Sequence, residues 1–281
     1  SLEDFLATND NFSYLNNLIY FDEKEHIVSG NLIFPYGYDV VIPAGTIIKM
    51  KPKSNIVIYG GLEVNGTIDK TVRVKNFENG KPFGSILVLG DGKSIVEINE
   101  IDISGGSESF INGVYASGAL SIHNHSEVIL NNSYIHHNAA DDGINIKNAK
   151  IKLFGNIFAN NFADQIDIDF GEGAIEDNIF LLVEDDSYIT NKSQQASLMN
   201  ISPSDNGDGL DFSGSLILLK NNYFKGFIDK AVSIGEDTTI ILDSNRFDNN
   251  RSAVTAKDQS NVYLLSNKYD NNKINIEIYQ K

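Results

Sequence analysis

The 281-residue chain has no cysteine, which removes disulfides, thiolate metal sites and a cysteine nucleophile together. Proline is scarce, at 5 residues. No run of about 18 consecutive apolar residues is present, so no segment reads as a bilayer-spanning helix. Positive charge is also short: 22 Lys and Arg against 38 Asp and Glu give a formal net charge of -16. A field of that sign repels nucleic acid and anionic membrane surfaces, so DNA and RNA are not expected partners. The opening Ser1-Leu2-Glu3-Asp4-Phe5 lacks the basic and apolar regions of a secretory signal. A leader removed upstream is compatible with that, so this absence does not argue for a cytoplasmic protein.

What is present is repetition. Asn, any residue, then Phe or Tyr recurs as Asn156-Ile157-Phe158, Asn178-Ile179-Phe180, Asn222-Tyr223-Phe224, Asn245-Arg246-Phe247 and Asn267-Lys268-Tyr269, at spacings of 22, 44, 23 and 22. A second motif sets a polar residue between two mostly apolar ones: Ile144-Asn145-Ile146, Ile166-Asp167-Ile168, Leu210-Asp211-Phe212, Val232-Ser233-Ile234, Val254-Thr255-Ala256 and Ile276-Glu277-Ile278. Its middle residues are 22, 44, 22, 22 and 22 apart. The double step reads as one coil carrying an insertion of about one period, the polar stretch 184–206.

Helical solenoids need repeats of about 33 to 47 residues and apolar spacings of three and four. Here apolar and polar residues alternate with period 2, which is the pattern of strands. Parallel strands about 4.8 Å apart bury Ile, Val, Leu and Phe, and Asn side chains at turns can bond the equivalent amide one coil away. Upstream, Leu32-Ile33-Phe34, Val40-Val41-Ile42, Ile47-Ile48-Lys49, Ile56-Val57-Ile58 and Leu62-Glu63-Val64 keep the strand rhythm between turns at Pro43-Ala44-Gly45 and Gly60-Gly61. The expected fold class is all-β, a right-handed parallel β-helix solenoid with coils of about 22 residues and an N-terminal cap. The expected division is a cap or lead-in over 1–28 and a β-helix over 29–281 with the inserted loop, the stacking beginning near Leu18.

Residues one period apart stack, so the repeat turns sequence into a surface map. One column reads Ser121, Asn145, Asp167, Asp211, Ser233, Thr255, Glu277. Three residues earlier stand Asp142, Asp164, Asp208, Lys230 and Ser252; two residues later come His123, Lys147, Asp169, Ser213, Gly235, Lys257 and Tyr279. Carboxylates within about 5 Å of each other repel and raise some pKa values unless a cation neutralises them. Such a cluster suits acid–base catalysis or cation binding.

The candidate catalytic residues are Asp167, Asp211, Asp169, Lys147 and Lys230. The candidate substrate-binding residues are His123, Asp142, Asp164, Asp208, Glu236, Lys257 and Tyr188, the last a sugar-stacking ring in an insertion placed to overhang the acids. Asp164, Asp167 and Asp208 are candidate Ca²⁺ ligands, and no other cofactor is expected. Zinc would need three or four convergent ligands, and no Cys or Glu-x-x-His pattern accompanies His123, His125, His136 and His137. Asp141-Asp142-Gly143 and Gly207-Asp208-Gly209-Leu210-Asp211 set acids beside glycines, where a sharp turn either presents carboxylates to a ligand or ties them into Asx-turns. The plainer alternative throughout is a solvated face of ladder-like hydrogen bonds, with Asp229-Lys230 and Lys257-Asp258 forming ion pairs between coils.

The segment Val41-Ile42-Pro43-Ala44-Gly45-Thr46-Ile47-Ile48-Lys49 and the Asn-x-Phe repeats resemble bacterial right-handed parallel β-helix repeat proteins, the pectate-lyase-like superfamily, over roughly residues 30–281. That superfamily includes lyases, hydrolases, epimerases, adhesins and structural fibres, so the resemblance implies an architecture and leaves the chemistry open. The Asp141-Asp142 pair is similar to the acid pair of polygalacturonase-type hydrolases, but the Asn-Thr-Asp, Gly-His-Gly and Arg-Ile-Lys signatures are missing, and that activity is not carried over.

The resulting expectation is a secreted or cell-surface carbohydrate-interacting β-helix, a polysaccharide lyase, hydrolase or epimerase using the Asp/Lys face. The alternative is a non-catalytic cell-surface adhesin or scaffold, Ca²⁺-stabilised through the same carboxylates. Negative charge disfavours a polyanionic substrate unless Ca²⁺ bridges the two; neutral or amino sugars fit more easily.

Overall fold

A computed structural model describes residues 1–22, 24–182, 204 and 206–280. Period-2 alternation of branched apolar and polar residues makes short strands, and these stack into three parallel ladders. The first ladder takes in Asn31–Ile33, Asn55–Ile58, Ile86–Leu89, Gly118–His123, the leading halves of Asp142–Phe154 and Asp164–Glu176, then Leu210–Ser213, Lys230–Gly235, Ser252–Ala256 and Ile274–Ile278. The second runs from Leu18–Phe21 to Asn261–Leu265 and uses the trailing halves of the same two long strands. The third runs from Glu25–Val28 to Lys268–Asp270. The chain is thus an all-β, right-handed parallel β-helix.

Two antiparallel strand pairs interrupt this plan among the described residues: Phe12–Leu15 with Leu18–Phe21, and the hairpin Ser109–Ile111 with Val114–Ala116. The helix Leu2–Thr8, closed by a capping box between Ser1 and Asp4, sets Phe5 against Phe12 and Phe34 and covers the first coil.

The coil length is not uniform. Along the first ladder, Ile144 pairs with Ile166, Ile166 with Leu210, and Leu210 with Val232, Val254 and Ile276 in turn, in steps of 22 or its double. Upstream, Leu32 pairs with Ile56, Ile56 with Ile86, Ile86 with Leu120 and Leu120 with Ile144, so coils there run longer and make excursions outside the core.

The Asn-x-Phe motif does two things at once. Its ring enters the core, where Phe158, Phe180, Phe224, Phe247 and Tyr269 stack with centroids 4.6 to 5.4 Å apart. Its amide forms a buried ladder: Asn156 Nδ2 donates to Asn178 Oδ1 at 2.9 Å, Asn178 to Asn222 at 3.0 Å, Asn222 to Asn245 at 3.0 Å and Asn245 to Asn267 at 3.0 Å. Each acceptor oxygen also takes the backbone N–H of the preceding Asn, so the turns leave no orphaned donor at these corners.

Candidate functional site

In Asp142–Phe154 and Asp164–Glu176, Ile144, Ile146, Ile166 and Ile168 point into the core, which sends Asn145, Lys147, Asp167 and Asp169 to the outer side. Parallel register then assembles the columns. Ser121, Asn145, Asp167, Asp211, Ser233, Thr255 and Glu277 are successive partners, as are His123, Lys147, Asp169, Ser213 and Gly235. Asp142 pairs with Asp164. The Asp208 backbone N donates to Asp164 Oδ1 at 2.7 Å, and the Lys230 backbone N donates to Asp208 Oδ1 at 3.1 Å, so the flanking column is continuous too.

Hydrogen bonds run along and across these columns. Asn145 Nδ2 donates to Asp167 Oδ2 at 2.8 Å, which leaves Asn145 Oδ1 to accept from His123 Nε2, also at 2.8 Å. His123 therefore carries its proton on Nε2, and burial lowers its pKa, keeping the ring neutral. Lys147 pairs with Asp169 at 2.8 Å, and Lys230 pairs with Asp208 at 3.3 Å and with Asp229, which also takes Arg251 at 3.0 Å. The Lys257 ammonium lies 3.9 Å from Asp211 Oδ1. Its stem crosses Gly235, where a Cβ would stand 2.7 Å from Lys257 Cε, so a side chain there would push the lysine stem aside. Glu236 sits exposed in a left-handed turn at φ 55, beyond the end of this strand. Tyr188 lies outside the described residues.

The acids are more deeply set than a solvated face would place them. Asp142 and Asp208 are each 4% exposed. Asp142 Oδ2 and Asp211 Oδ1 are buried and have no hydrogen-bond partner. Burial, with help from Asp167, holds the Asp142 carboxyl well above the ordinary carboxylate range; burial and Asp208 do the same to Asp164. Burial, Asp169 and Asp211 push Asp167 up to about 7. Asp208 also rises to about 7, because burial with Asp211 and Asp229 outweighs the Lys230 ammonium. Burial disfavours the charged form of Lys230, but Asp208 and Asp229 override it and raise its pKa; Lys147 is raised likewise by Asp169, Asp167 and Asp142. At neutral pH this acidic face holds protons on carboxyl groups, which can donate hydrogen bonds as well as accept them.

Among the described residues, no group of three or more His, Asp or Glu side chains is arranged to hold a metal ion. Within the candidate Ca²⁺ set, Asp164 is engaged by the Asp208 backbone and Asp208 by Lys230. The remaining histidines stand elsewhere. His125 is buried against Ser94, 3.0 Å away, and His136 lies on the third ladder, 3.0 Å from Asp102, 2.9 Å from His137 and stacked on Tyr134.

Sequence reasoning overlooked the hairpin Ser109–Ala116. Its underside, Ile111, Val114 and Ala116, packs on Val57, Leu87 and Leu89 of the first ladder and on Tyr59 just past its strand Asn55–Ile58, which leaves Phe110 and Tyr115 outward. The signal was there: Asn112-Gly113, with φ of 50 and 83, is a pair suited to the tight turn of a two-residue hairpin.

No family model matches the chain. No curated protein matches its sequence. Among solved structures, tailspike protein 2 of Escherichia coli O157:H7 bacteriophage CAB120 is similar at a TM-score of 0.50 and 11% identity, over 88% of this chain and 38% of that one. The Dettilon tailspike protein aligns at a TM-score of 0.40 and 12% identity, over 84% of this chain and 46% of that one. The Streptococcus pneumoniae surface protein and adhesin PfbA aligns at a TM-score of 0.25 and 13% identity, over 90% and 92%. The chain thus spans less than half the length of the two tailspikes, and at these identities the first likeness speaks to the fold, a long parallel β-helix. No helix among the described residues is long and apolar enough to cross a membrane.

Proposed function

We propose that this β-helix binds a neutral polysaccharide along the groove formed by Asp142, Asp164, Asp167, Asp208 and Asp211, outside the cell or at its surface, and hydrolyses it there. In the same reading the chain belongs with the pectate-lyase-like β-helices, on the motif at 41–49. The observation that carries the proposal is a carboxyl raised to about 7, Asp167, stacked in register on a second carboxyl, Asp211, whose Oδ1 is buried with no hydrogen-bond partner. Glycoside hydrolysis needs such a pair, one group protonated to release the leaving sugar and one ionised to attack or to activate water.

In this scheme Asp167 is the general acid and Asp211, beside Lys257, is the nucleophile. Adjacent strands stand about 4.8 Å apart, near the roughly 5–5.5 Å between the carboxyl groups of retaining enzymes, so retention of configuration is the expected outcome. Asn145 and His123 orient Asp167, and Lys147 holds Asp169 aside.

The test is a neutral-polysaccharide panel scored for binding and for new reducing ends. Asp167→Asn and Asp211→Asn are each expected to abolish turnover while retaining binding, and kcat/KM should fall as pH rises through about 7, where the acid loses its proton. Full turnover in both variants removes these carboxyls from the mechanism. Binding without turnover in the native chain would instead favour an adhesin, the reading supported by the hydrogen bonds that already tie His123, Asn145 and Asp167 together.

A further inference from the structure

Two aromatic rings at one end of the groove have no structural task. Phe110 and Tyr115 are cross-strand partners on the outer face of the hairpin, 74% and 52% exposed. Partners so placed have Cβ atoms about 4.5–5.5 Å apart, which puts the two rings side by side on one face of the hairpin. The opposite face of the hairpin already supplies its packing, so these rings do not hold it down.

Their position relative to the acids is fixed by the ladder. Tyr115 is three residues from Gly118, which pairs with Asp142, and the Asp142 backbone N donates to Ser117 O at 3.2 Å. The hairpin itself lies over Leu87 and Val57, three and four ladder steps before Asp167, so the rings stand roughly 14–19 Å from the proposed acid and one step nearer to Asp142. The Tyr115 phenol has a raised pKa through burial and the nearby charges of Asp141, Glu108 and Asp142, in keeping with this closeness. On the far side the aromatic surface continues: Asn112 Nδ2 donates to the Tyr59 phenol at 2.9 Å, and Tyr36 is 6.4 Å from Tyr59 between centroids.

We infer that Phe110 and Tyr115 form a stacking subsite for an uncharged pyranose ring of an oligosaccharide that runs lengthwise over several coils from the hairpin to Asp211. A pyranose has an apolar C–H face and a rim of hydroxyls. The paired rings take the face, and the exposed Asp141 and Glu108 offer acceptors to the rim while repelling carboxylated or sulfated sugars. The inference rests on the reading above and adds the length and polarity of the ligand: a chain engaged along its interior, in preference to a single terminal sugar.

The experiment uses size-fractionated fragments of whichever neutral polysaccharide in the panel binds the native chain, titrated calorimetrically against native, Phe110→Ala, Tyr115→Ala and the double variant. Each single substitution should weaken hexasaccharide binding about tenfold, the scale of one lost aromatic contact, leave disaccharide binding at the acids unchanged and leave the melting temperature unmoved. Unchanged hexasaccharide affinity in the double variant, or equal losses for both fragment lengths, overturns the subsite while the hydrolase reading stands. A native chain that binds no neutral polysaccharide overturns both.

Discussion

The molecule carries two polar ladders built by the same stacking, and their contrast is instructive. The amide ladder from Asn156 to Asn267 is self-satisfying, because every side chain both donates and accepts and can repeat without limit. The carboxyl columns have no such solution. Asp164 and Asp208, or Asp167 and Asp211, offer only acceptors when ionised, so stacking them raises pKa values and leaves buried oxygens unpaired. One ladder stabilises the fold and the other strains it. A strain kept beside the double step of the solenoid is the kind of arrangement that marks a candidate site, since a structural column could have been filled with Ser and Thr, as at Ser252 and Thr255, whose hydroxyls bond each other at 2.9 Å.

The contrast is broken most severely at the amide ladder. Asn178→Ala strips five hydrogen bonds, two accepted from Asn156 and three donated to Leu153 O, Glu176 O and Asn222 Oδ1. With several buried groups left unpaired, the loss should be roughly 3–5 kcal/mol in urea unfolding. The opposite sign is expected at the acid column. The Asp167 pKa is about 7 in the folded chain against an ordinary carboxyl value of 3.8, so the folded state binds the proton more tightly and stability falls as pH rises across that window. Asp167→Asn should therefore stabilise the protein by roughly 1–3 kcal/mol at pH 8 and by almost nothing near pH 4. A melting temperature lowered at pH 8 would erase the distinction between the ladders.

Smaller effects sharpen it. Lys230→Met leaves Asp208 and Asp229 without their ammonium and should cost about 1–2 kcal/mol at pH 8 and less at pH 5, where Asp208 takes up a proton. Thermal melts at the two pH values decide it. Lys147→Ala breaks a pair whose lysine is 42% exposed, so it should cost under about 1 kcal/mol and vanish in high salt.

Much of this is legible in the sequence alone. The 22-residue spacing placed Asn145, Asp167 and Asp211 in one column to the residue, because stacked strands copy sequence period into space. The same spacing identified the Asn-x-Phe rings as core. Depth was less readable. Asp142 and Asp208 look like surface acids in sequence, and their burial arises from neighbours one coil away, Ser117 and Lys230, that local pattern does not announce. The upstream coils hid their length because excursions of differing size, the hairpin at Asn112-Gly113 among them, fall between strands whose apolar pattern looks unbroken.

The unvarying step from Leu210 to Val232, Val254 and Ile276 makes the C-terminal coils exchangeable parts. Excising 233–254 would set Thr255 where Ser233 now stands, join Asn222 to Asn267 and Phe224 to Tyr269, and shorten the molecule by one notch of about 4.8 Å. Such a chain should still melt in a single transition with its acids untouched. The length of the solenoid beyond the acids is then a whole-number property, lengthened or trimmed by duplication or loss of 22 codons.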